Sequence, residues 1–129
     1  MTKEFAFIDE LGPEKVIELY DPSTRLTGIL VVDNVAAGPA IGGVRMAMDV
    51  TREECFRLAR AMSLKNAMAG LAHGGGKAAI VADPRQPAVE KERLIRSFAH
   101  AVADVRDYIP GPDMGTNETY MAHVKDVTG

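Results

Sequence analysis

The chain has 129 residues with 18 acidic and 15 basic side chains, a net charge of −3 at pH 7, and a composition that is 47% hydrophobic and 26% charged. These values are typical of a single folded domain, 1–129, and argue against disorder, fibres and coiled coils. The slight negative charge provides no field that would attract nucleic acid or an anionic membrane, so we expect neither as a partner.

The N-terminal residues and the cysteine content indicate the cellular compartment of the protein. Residues 1–10 include several charged side chains and no apolar core, so no secretory signal peptide is predicted. No apolar run approaches the roughly 20 residues that span a bilayer. The single cysteine, Cys55, excludes an internal disulfide and suits a reducing environment, so we expect a cytoplasmic protein.

Three elements are predicted in the first third of the chain. Acidic residues after Pro13 predict a short helix over 14–20, because proline and acids favour a first helical turn. β-branched residues predict strands over 26–32 and 40–46. The short connection between these strands predicts that they are antiparallel neighbours.

Helices and strands alternate along the rest of the chain. A capping box of Thr51 and Glu54 predicts a helix that runs to about residue 70. The elements that follow are a buried strand over 78–82, a helix after Pro87, a strand over 108–110 and a last helix capped by Thr116 or Asn117. This alternation predicts an α/β fold, a three-layer α/β/α domain with a mixed, mostly parallel sheet.

Lys65 is the first candidate for a functional side chain. On a helical wheel it lies in line with Leu58, Met62 and Ala69, so we expect it near the middle of the apolar face of its helix. One interpretation is a lysine near a helix end whose ammonium reaches water. The other is an inward ammonium that needs an anion, such as a ligand carboxylate, because a buried unpaired charge is unfavourable.

Lys77 follows three glycines, 74–76, and precedes a predicted strand. It is either a solvated lysine after a flexible turn, or an amine at the end of the sheet. In the second case the glycines have no side chains that would block close approach to the backbone. Leu71 and Ala78 stand where a phosphate-binding loop requires glycine and Ser or Thr, so that motif is excluded. The glycines also match a relaxed dinucleotide pattern, but the order of helix and strand around them is the reverse of what that site needs.

Asp113 lies in a turn rich in proline and glycine before the last predicted helix. It is either an ordinary turn aspartate or a carboxylate aimed at a cleft. If Lys65 and Lys77 share that cleft, we expect one to hold a carboxylate as a fixed charge and the other to act as a general base. The three histidines and Cys55 lack zinc-ligand spacing, and no G-x-S-x-G motif is present, so no metal or nucleophile is predicted.

Four motifs occur in a fixed order: GPAIGGVR at 38–45, MSLKN at 62–66, GLAHGGGK at 70–77 and PDMGT at 112–116. Together they resemble the N-terminal, substrate-binding and dimerisation domain of the glutamate/leucine/phenylalanine/valine dehydrogenases. The resemblance covers nearly the whole chain from about residue 25. It implies oxidative deamination of an L-amino acid to a 2-oxo acid and ammonium, with NAD or NADP as the hydride acceptor.

The resemblance also implies a role for each matched position. Lys65 matches the lysine that binds the substrate α-carboxylate, and Lys77 matches the catalytic lysine that activates water. Asp113 matches the aspartate that exchanges a proton with the substrate nitrogen. Gly42 and Gly43 match glycines whose backbone lines the substrate pocket.

Two further positions concern substrate choice. Glutamate-specific relatives have a lysine where this chain has Ile41 and a polar residue where it has Met62. An apolar pocket disfavours a charged side chain, so the resemblance implies an apolar amino acid. The sequence of residues 112–117 is closer to that of the glutamate-specific members, which makes a glutamate dehydrogenase fragment an alternative.

Members of this family continue into a Rossmann domain that binds NAD or NADP, and this chain ends about where the connection to that domain would begin. We therefore expect a domain that pairs with a cofactor-binding domain, forms a homo-oligomer and does not turn over alone. The rival hypothesis is a non-catalytic binding or oligomerisation module derived from the same family.

Overall fold

The computed structural model describes residues 5–129. Their elements are β1 (Lys15–Asp21), β2 (Leu26–Asn34), β3 (Ala40–Ala47), α1 (Arg52–Met68), β4 (Gly74–Val81), α2 (Ala88–Val102), β5 (Tyr108–Pro112) and α3 (Glu118–Thr128). Within this part of the chain, no helix is long and apolar enough to cross a membrane.

The strands form one sheet in the order β1-β2-β4-β3-β5. Strand β2 pairs antiparallel with β1 and β4, and β3 pairs parallel with β4 and β5, so the mixed sheet is confirmed. The prediction that 26–32 and 40–46 form neighbouring strands is wrong, because β4 lies between β2 and β3. Residues 35–39 are long enough to cross the roughly 10 Å between alternate strands.

Helices cover both faces of the sheet and give three layers. On one face α1 packs against β2 and β4 through a cluster of Ile29, Val31, Cys55, Phe56, Ala59 and Ala79. On the other face α2 and α3 pack on a larger cluster that includes Leu30, Ala78, Ile80, Phe98 and Val124. The predicted α/β/α domain is confirmed.

Residues 14–20 do not form the predicted helix, because 15–20 belong to strand β1. This strand pairs with β2 along its whole length, and its Leu19 is buried in the core. Pro13 and the acidic residues favour a helix locally, but seven residues make a marginal helix in isolation. The ladder with β2, which is formed by residues distant from the local pattern, therefore determines the structure here.

The helix starts follow the predicted caps in part. The hydroxyl oxygen of Thr51 accepts the backbone N–H of Glu54 at 3.1 Å at the start of α1, but the Glu54 carboxylate contacts Arg45 at 3.4 Å and does not complete the capping box. Asn117 caps α3 by accepting the N–H of Tyr120 at 3.1 Å. Thr116, the other predicted cap, instead donates to a carbonyl of β3 at 2.7 Å and ties the turn after β5 to that strand.

A buried carboxylate joins α1 to the sheet. Asp33 in β2 is 3% exposed. Its Oδ2 accepts from Arg60 Nε at 2.8 Å and from the Ser63 hydroxyl at 2.7 Å. Arg60 also donates to both oxygens of Asp9 at 2.8 Å, which fixes the segment before β1 to α1.

Replacing Arg60 is therefore expected to destabilise the fold. Arg60→Ala should lower the free energy of unfolding by about 3 kcal/mol, because it leaves the buried Asp33 carboxylate without its counter-ion. Urea unfolding measures this effect, with Arg57→Ala at an exposed position of the same helix as the control. Equal stability of the two variants would contradict the assignment.

Candidate functional site

Lys77 lies in the middle of the sheet. It belongs to β4 and is 6% exposed. Because Ala79 on the same strand packs against α1 and strand side chains alternate, Lys77 faces the α1 layer. The interpretation of a solvated lysine after a flexible turn is wrong, since glycines 74–76 are part of the strand.

These glycines permit close backbone contacts. A Cβ on Gly74 would lie 1.6 Å from the carbonyl oxygen of Asn34, and one on Gly75 would lie 2.0 Å from the backbone nitrogen of Ser63 in α1. A pyrophosphate site requires a glycine turn that leads from a strand into a helix. The run inside β4 therefore does not fit a nicotinamide dinucleotide, and we assign no cofactor contact to it.

Lys77 and Asp113 meet across β3. Lys77 Nζ forms an ion pair with Asp113 Oδ2, and Asp113 directly follows β5. The register of the flanking pairs places Gly43 of β3 level with Lys77. A Cβ on Gly43 would lie 2.7 Å from the Cβ of Asp113, so the missing side chain leaves room for the aspartate.

Gly42 is held in place from both neighbouring strands. A Cβ at this position would lie 1.5 Å from the carbonyl oxygen of Gly76 in β4. From β5, the Tyr108 hydroxyl donates to the Gly42 carbonyl at 2.8 Å. Burial raises the pKa of Tyr108 well above its usual value, so the hydroxyl remains a donor at neutral pH. Sequence reasoning predicted the strand that carries Tyr108 but not this contact.

Arg45 and Glu54 lie beside the Lys77–Asp113 ion pair and form a charged cluster with it. Arg45 Nε lies 3.4 Å from Asp113 Oδ2, and Arg45 Nη1 lies 3.4 Å from Glu54 Oε1. Sequence reasoning gave neither residue a role at the site. The alternation of β3 could have found Arg45, because it lies two residues after Gly43 and hence on the same face.

Opposing effects act on the Asp113 carboxyl. Burial alone would raise its pKa. The hydrogen bond and charge of Lys77, the N–H of Met114 at 2.7 Å and the guanidinium of Arg45 outweigh burial, so the pKa of Asp113 lies below its usual value. Asp113 is therefore a carboxylate at neutral pH and is able to accept a proton.

Lys65 is exposed, which fits the interpretation of a lysine whose ammonium reaches water and excludes that of an inward, buried ammonium. The buried residues of α1 are Cys55, Phe56, Ala59 and Asn66. Lys65 lies on the flank of α1 instead. It follows Glu54 by eleven residues, about three turns, so both face the side of β3 and β5. The end of the helix is held to β4 by the Asn66 amide, which donates to the Gly74 carbonyl at 2.8 Å.

Helix α1 packs on β2 and β4 but contacts β3 little. We infer that this leaves a groove between the flank of α1 and the same face of β5. Strand alternation places Ile41, Gly43 and Gly111 on the floor of the groove, and the helix wheel places Met62 on its wall. Ile41 and Met62 are both half-buried. The inferred groove is thus lined by the Asp113 carboxylate and the buried Lys77 amine. The exposed Lys65 amine lies on its flank, and Ile41 and Met62 form an apolar end.

Cys55 and the histidines add no second candidate site in the part of the chain that the structure describes. Burial raises the pKa of the Cys55 thiol to about 12, so it stays protonated at neutral pH. Over residues 5–129, no group of three or more His, Cys, Asp or Glu side chains is arranged to hold a metal ion.

Comparison with known proteins identifies the family. The sequence model described as "Glu/Leu/Phe/Val dehydrogenase, dimerisation domain" matches residues 13–129. The chain belongs to this family. The valine dehydrogenase of Streptomyces virginiae is 41% identical over 113 residues, which are 84% of this chain and 31% of that protein. The leucine dehydrogenase of Bacillus subtilis is 33% identical over 129 residues, 96% of this chain and 35% of that protein.

Solved structures of family members share the fold. The hetero-hexameric glutamate dehydrogenase of Thermus thermophilus superposes with a TM-score of 0.84 at 32% identity, over 90% of this chain and 30% of that one. The L-tryptophan dehydrogenase of Nostoc punctiforme gives a TM-score of 0.81 at 27% identity, over 92% of this chain and 36% of that one. The chain spans about a third of the length of these relatives.

Proposed function

We propose that this chain is the substrate-binding part of an amino-acid dehydrogenase that converts an L-amino acid to a 2-oxo acid and ammonium. The observation that carries the proposal is the ion pair of Lys77 and Asp113 over Gly43. A buried amine beside a carboxylate is suited to moving protons between water and a substrate nitrogen. The family relatives, which are named for dehydrogenation of valine, leucine and glutamate, support the same reaction.

Each charged group has one task in this proposal. Lys65 binds the substrate α-carboxylate as an exposed fixed cation at the rim of the groove. Once a hydride has left the α-carbon and the substrate is an imine, neutral Lys77 Nζ would take a proton from the water that adds to the imine carbon. The C–N bond of the resulting carbinolamine then breaks, and ammonia leaves. Asp113 exchanges a proton with the substrate nitrogen, starting as a carboxylate. The backbone of Gly42 and Gly43 would line the substrate pocket, with Gly43 on the face of the sheet that carries Lys77 and Asp113.

Substrate choice follows from the apolar end of the groove. Ile41 and Met62 present no charge to a substrate side chain. Burying a second carboxylate against them would be unfavourable because its hydration would be lost without compensation. We infer a branched or otherwise apolar amino acid, and the alternative is glutamate.

The reaction also needs groups that the described residues do not provide. NAD or NADP would accept the hydride while bound to a polypeptide segment outside these 129 residues. A second copy of the chain is the further expected partner, since the matched family model is a dimerisation domain. A module that binds and oligomerises without catalysis is the second candidate.

The test joins the chain to the cofactor-binding segment of a related dehydrogenase. NADH oxidation that depends on both a 2-oxo acid and ammonium supports the dehydrogenase. An assembly that is folded and oligomeric but inactive with branched, aromatic and dicarboxylic 2-oxo acids would instead support the non-catalytic module.

Lys65 provides a separate prediction on binding. Lys65→Ala should weaken binding of a branched 2-oxo acid at least tenfold, because a charge-assisted contact is worth about 1.5–3 kcal/mol. Calorimetric titration of the 129-residue chain measures this, with Lys125→Ala on the exposed surface of α3 as the control. Equal binding constants for the two variants would remove Lys65 from the site.

A further inference from the structure

Arg45 carries a buried donor that has no hydrogen-bond partner. Among residues 5–129, the Nε–H of Arg45 finds no acceptor in hydrogen-bond geometry, although it lies 3.4 Å from Asp113 Oδ2. A buried, unpaired charged donor is unfavourable and is rarely retained without a reason. The oxygen that this donor faces is the one that Lys77 holds.

The guanidinium faces the aspartate with one edge. Its Nη2 lies 3.5 Å from Asp113 Oδ1 while Nε lies 3.4 Å from Oδ2, so two nitrogens face the two carboxylate oxygens. This is the side-on arrangement in which arginine binds carboxylates, but both nitrogen–oxygen distances are a few tenths of an ångström longer than in a hydrogen-bonded pair. A small movement of the Asp113 carboxylate away from Lys77 would close both contacts.

Glu54 fixes the other edge of the guanidinium. Its carboxylate lies 3.4 Å from Arg45 Nη1 and belongs to the first turn of α1, where the helix dipole favours a negative charge. The Arg45 side chain is 19% exposed and that of Asp113 is 20% exposed, so solvent screens their attraction only partly. Arg45 therefore has a contact besides Asp113 that does not involve Lys77.

We propose that Arg45 is a positioning residue that takes over the Asp113 carboxylate when Lys77 releases it. This rests on the proposed function, in which Lys77 and Asp113 both exchange protons. When Lys77 is neutral, Asp113 loses its ion pair, and a carboxylate left unpaired in this half-buried place would tend to take up a proton. Arginine stays protonated under all conditions of catalysis, so it is suited to hold the carboxylate through that step.

A neutral lysine is mimicked by Lys77→Met, and the titration of Asp113 is followed by carbon-detected NMR of its labelled carboxyl group. In this background, Arg45→Gln is expected to raise the titration midpoint of Asp113 by more than one pH unit. Arg45→Lys should recover part of that change, because it restores the charge but not the two-nitrogen edge. The other titratable groups near this cluster are Glu54 and Cys55 on α1 and Tyr108 on β5.

The matched control is Arg52→Gln, which removes the same charge from α1 where it pairs with Glu18 at 2.9 Å. It should leave the midpoint of Asp113 unchanged. An unchanged midpoint in the folded Lys77→Met, Arg45→Gln protein would overturn the role of Arg45. This readout needs no substrate or cofactor, so its outcome is independent of whether the joined assembly turns over.

Discussion

Lys77→Ala is expected to reduce turnover about 10³-fold in the chain joined to a cofactor-binding segment. The change removes the only group within the Lys77–Asp113 pair that we assign to activating water, and general acid–base groups contribute 10²–10⁴-fold. The fold should remain, because Arg45 still faces the remaining carboxylate. The measurement is the rate of NADH oxidation at saturating 2-oxo acid and ammonium.

Lys91 provides a matched control for this variant. Its side chain is as buried as that of Lys77, at 7% against 6% exposed, but it lies on α2 in the opposite layer. There its ammonium donates to the Pro84 carbonyl at 3.0 Å and lies 4.5 Å from the centre of the Tyr120 ring. Lys91→Ala should lower stability and leave the turnover of the folded protein within a few-fold. A Lys77→Ala protein that keeps more than a tenth of the activity would contradict the assigned role.

Gly42→Ala is expected to have the largest effect on stability at the site. The new Cβ would lie 1.5 Å from the carbonyl oxygen of Gly76, so β3 would have to separate from β4 in the middle of the sheet. Backbone atoms are on both sides of the contact, and no side-chain rotation can relieve it. We expect a loss of at least about 3 kcal/mol, a large part of the usual 5–15 kcal/mol.

Gly111 is the control for this substitution. It lies in β5, and a Cβ there would meet no other atom within 4 Å. Gly111→Ala should therefore be nearly neutral in urea unfolding, while Gly42→Ala unfolds at much lower urea or does not fold. Similar midpoints for the two variants would refute the close packing of β3 on β4.

The residue pattern within each segment was enough to predict several elements. These are the helix that begins after Thr51, the strands that contain residues 26–32 and 40–46, and the helix after Pro87. Strand β1 was missed because its structure depends on pairing with β2, which proline and acids near its start do not indicate. The order of the strands likewise depends on β4, which comes later in the chain.

The helix wheel was misleading at Lys65 for a physical reason. The buried face of α1 consists of Cys55, Phe56, Ala59 and Asn66, and the backbone of Ser63 packs closely on Gly75 of β4. Leu58 and Met62 are only half-buried. The apolar stripe therefore lies beside the buried face and not at its centre, and Lys65 near its end is exposed.

The charged cluster could be predicted only in part. The motifs around Lys77 and Asp113 indicated both residues, and the structure pairs them. The contacts of Arg45 with Glu54 and of Tyr108 with Gly42 depend on the register between β3, β5 and α1. Such contacts join residues far apart in the sequence, and no spacing rule reports them.

An NMR titration of the 129-residue chain with a branched 2-oxo acid tests directly whether the Lys77–Asp113 pair forms a substrate site. We expect the backbone amide resonances of Gly43, Gly111 and Asp113 to shift together, with one binding constant. Shifts confined to the α2 and α3 layer, or no shift at these three residues at saturating ligand, would contradict a substrate site at the Lys77–Asp113 pair.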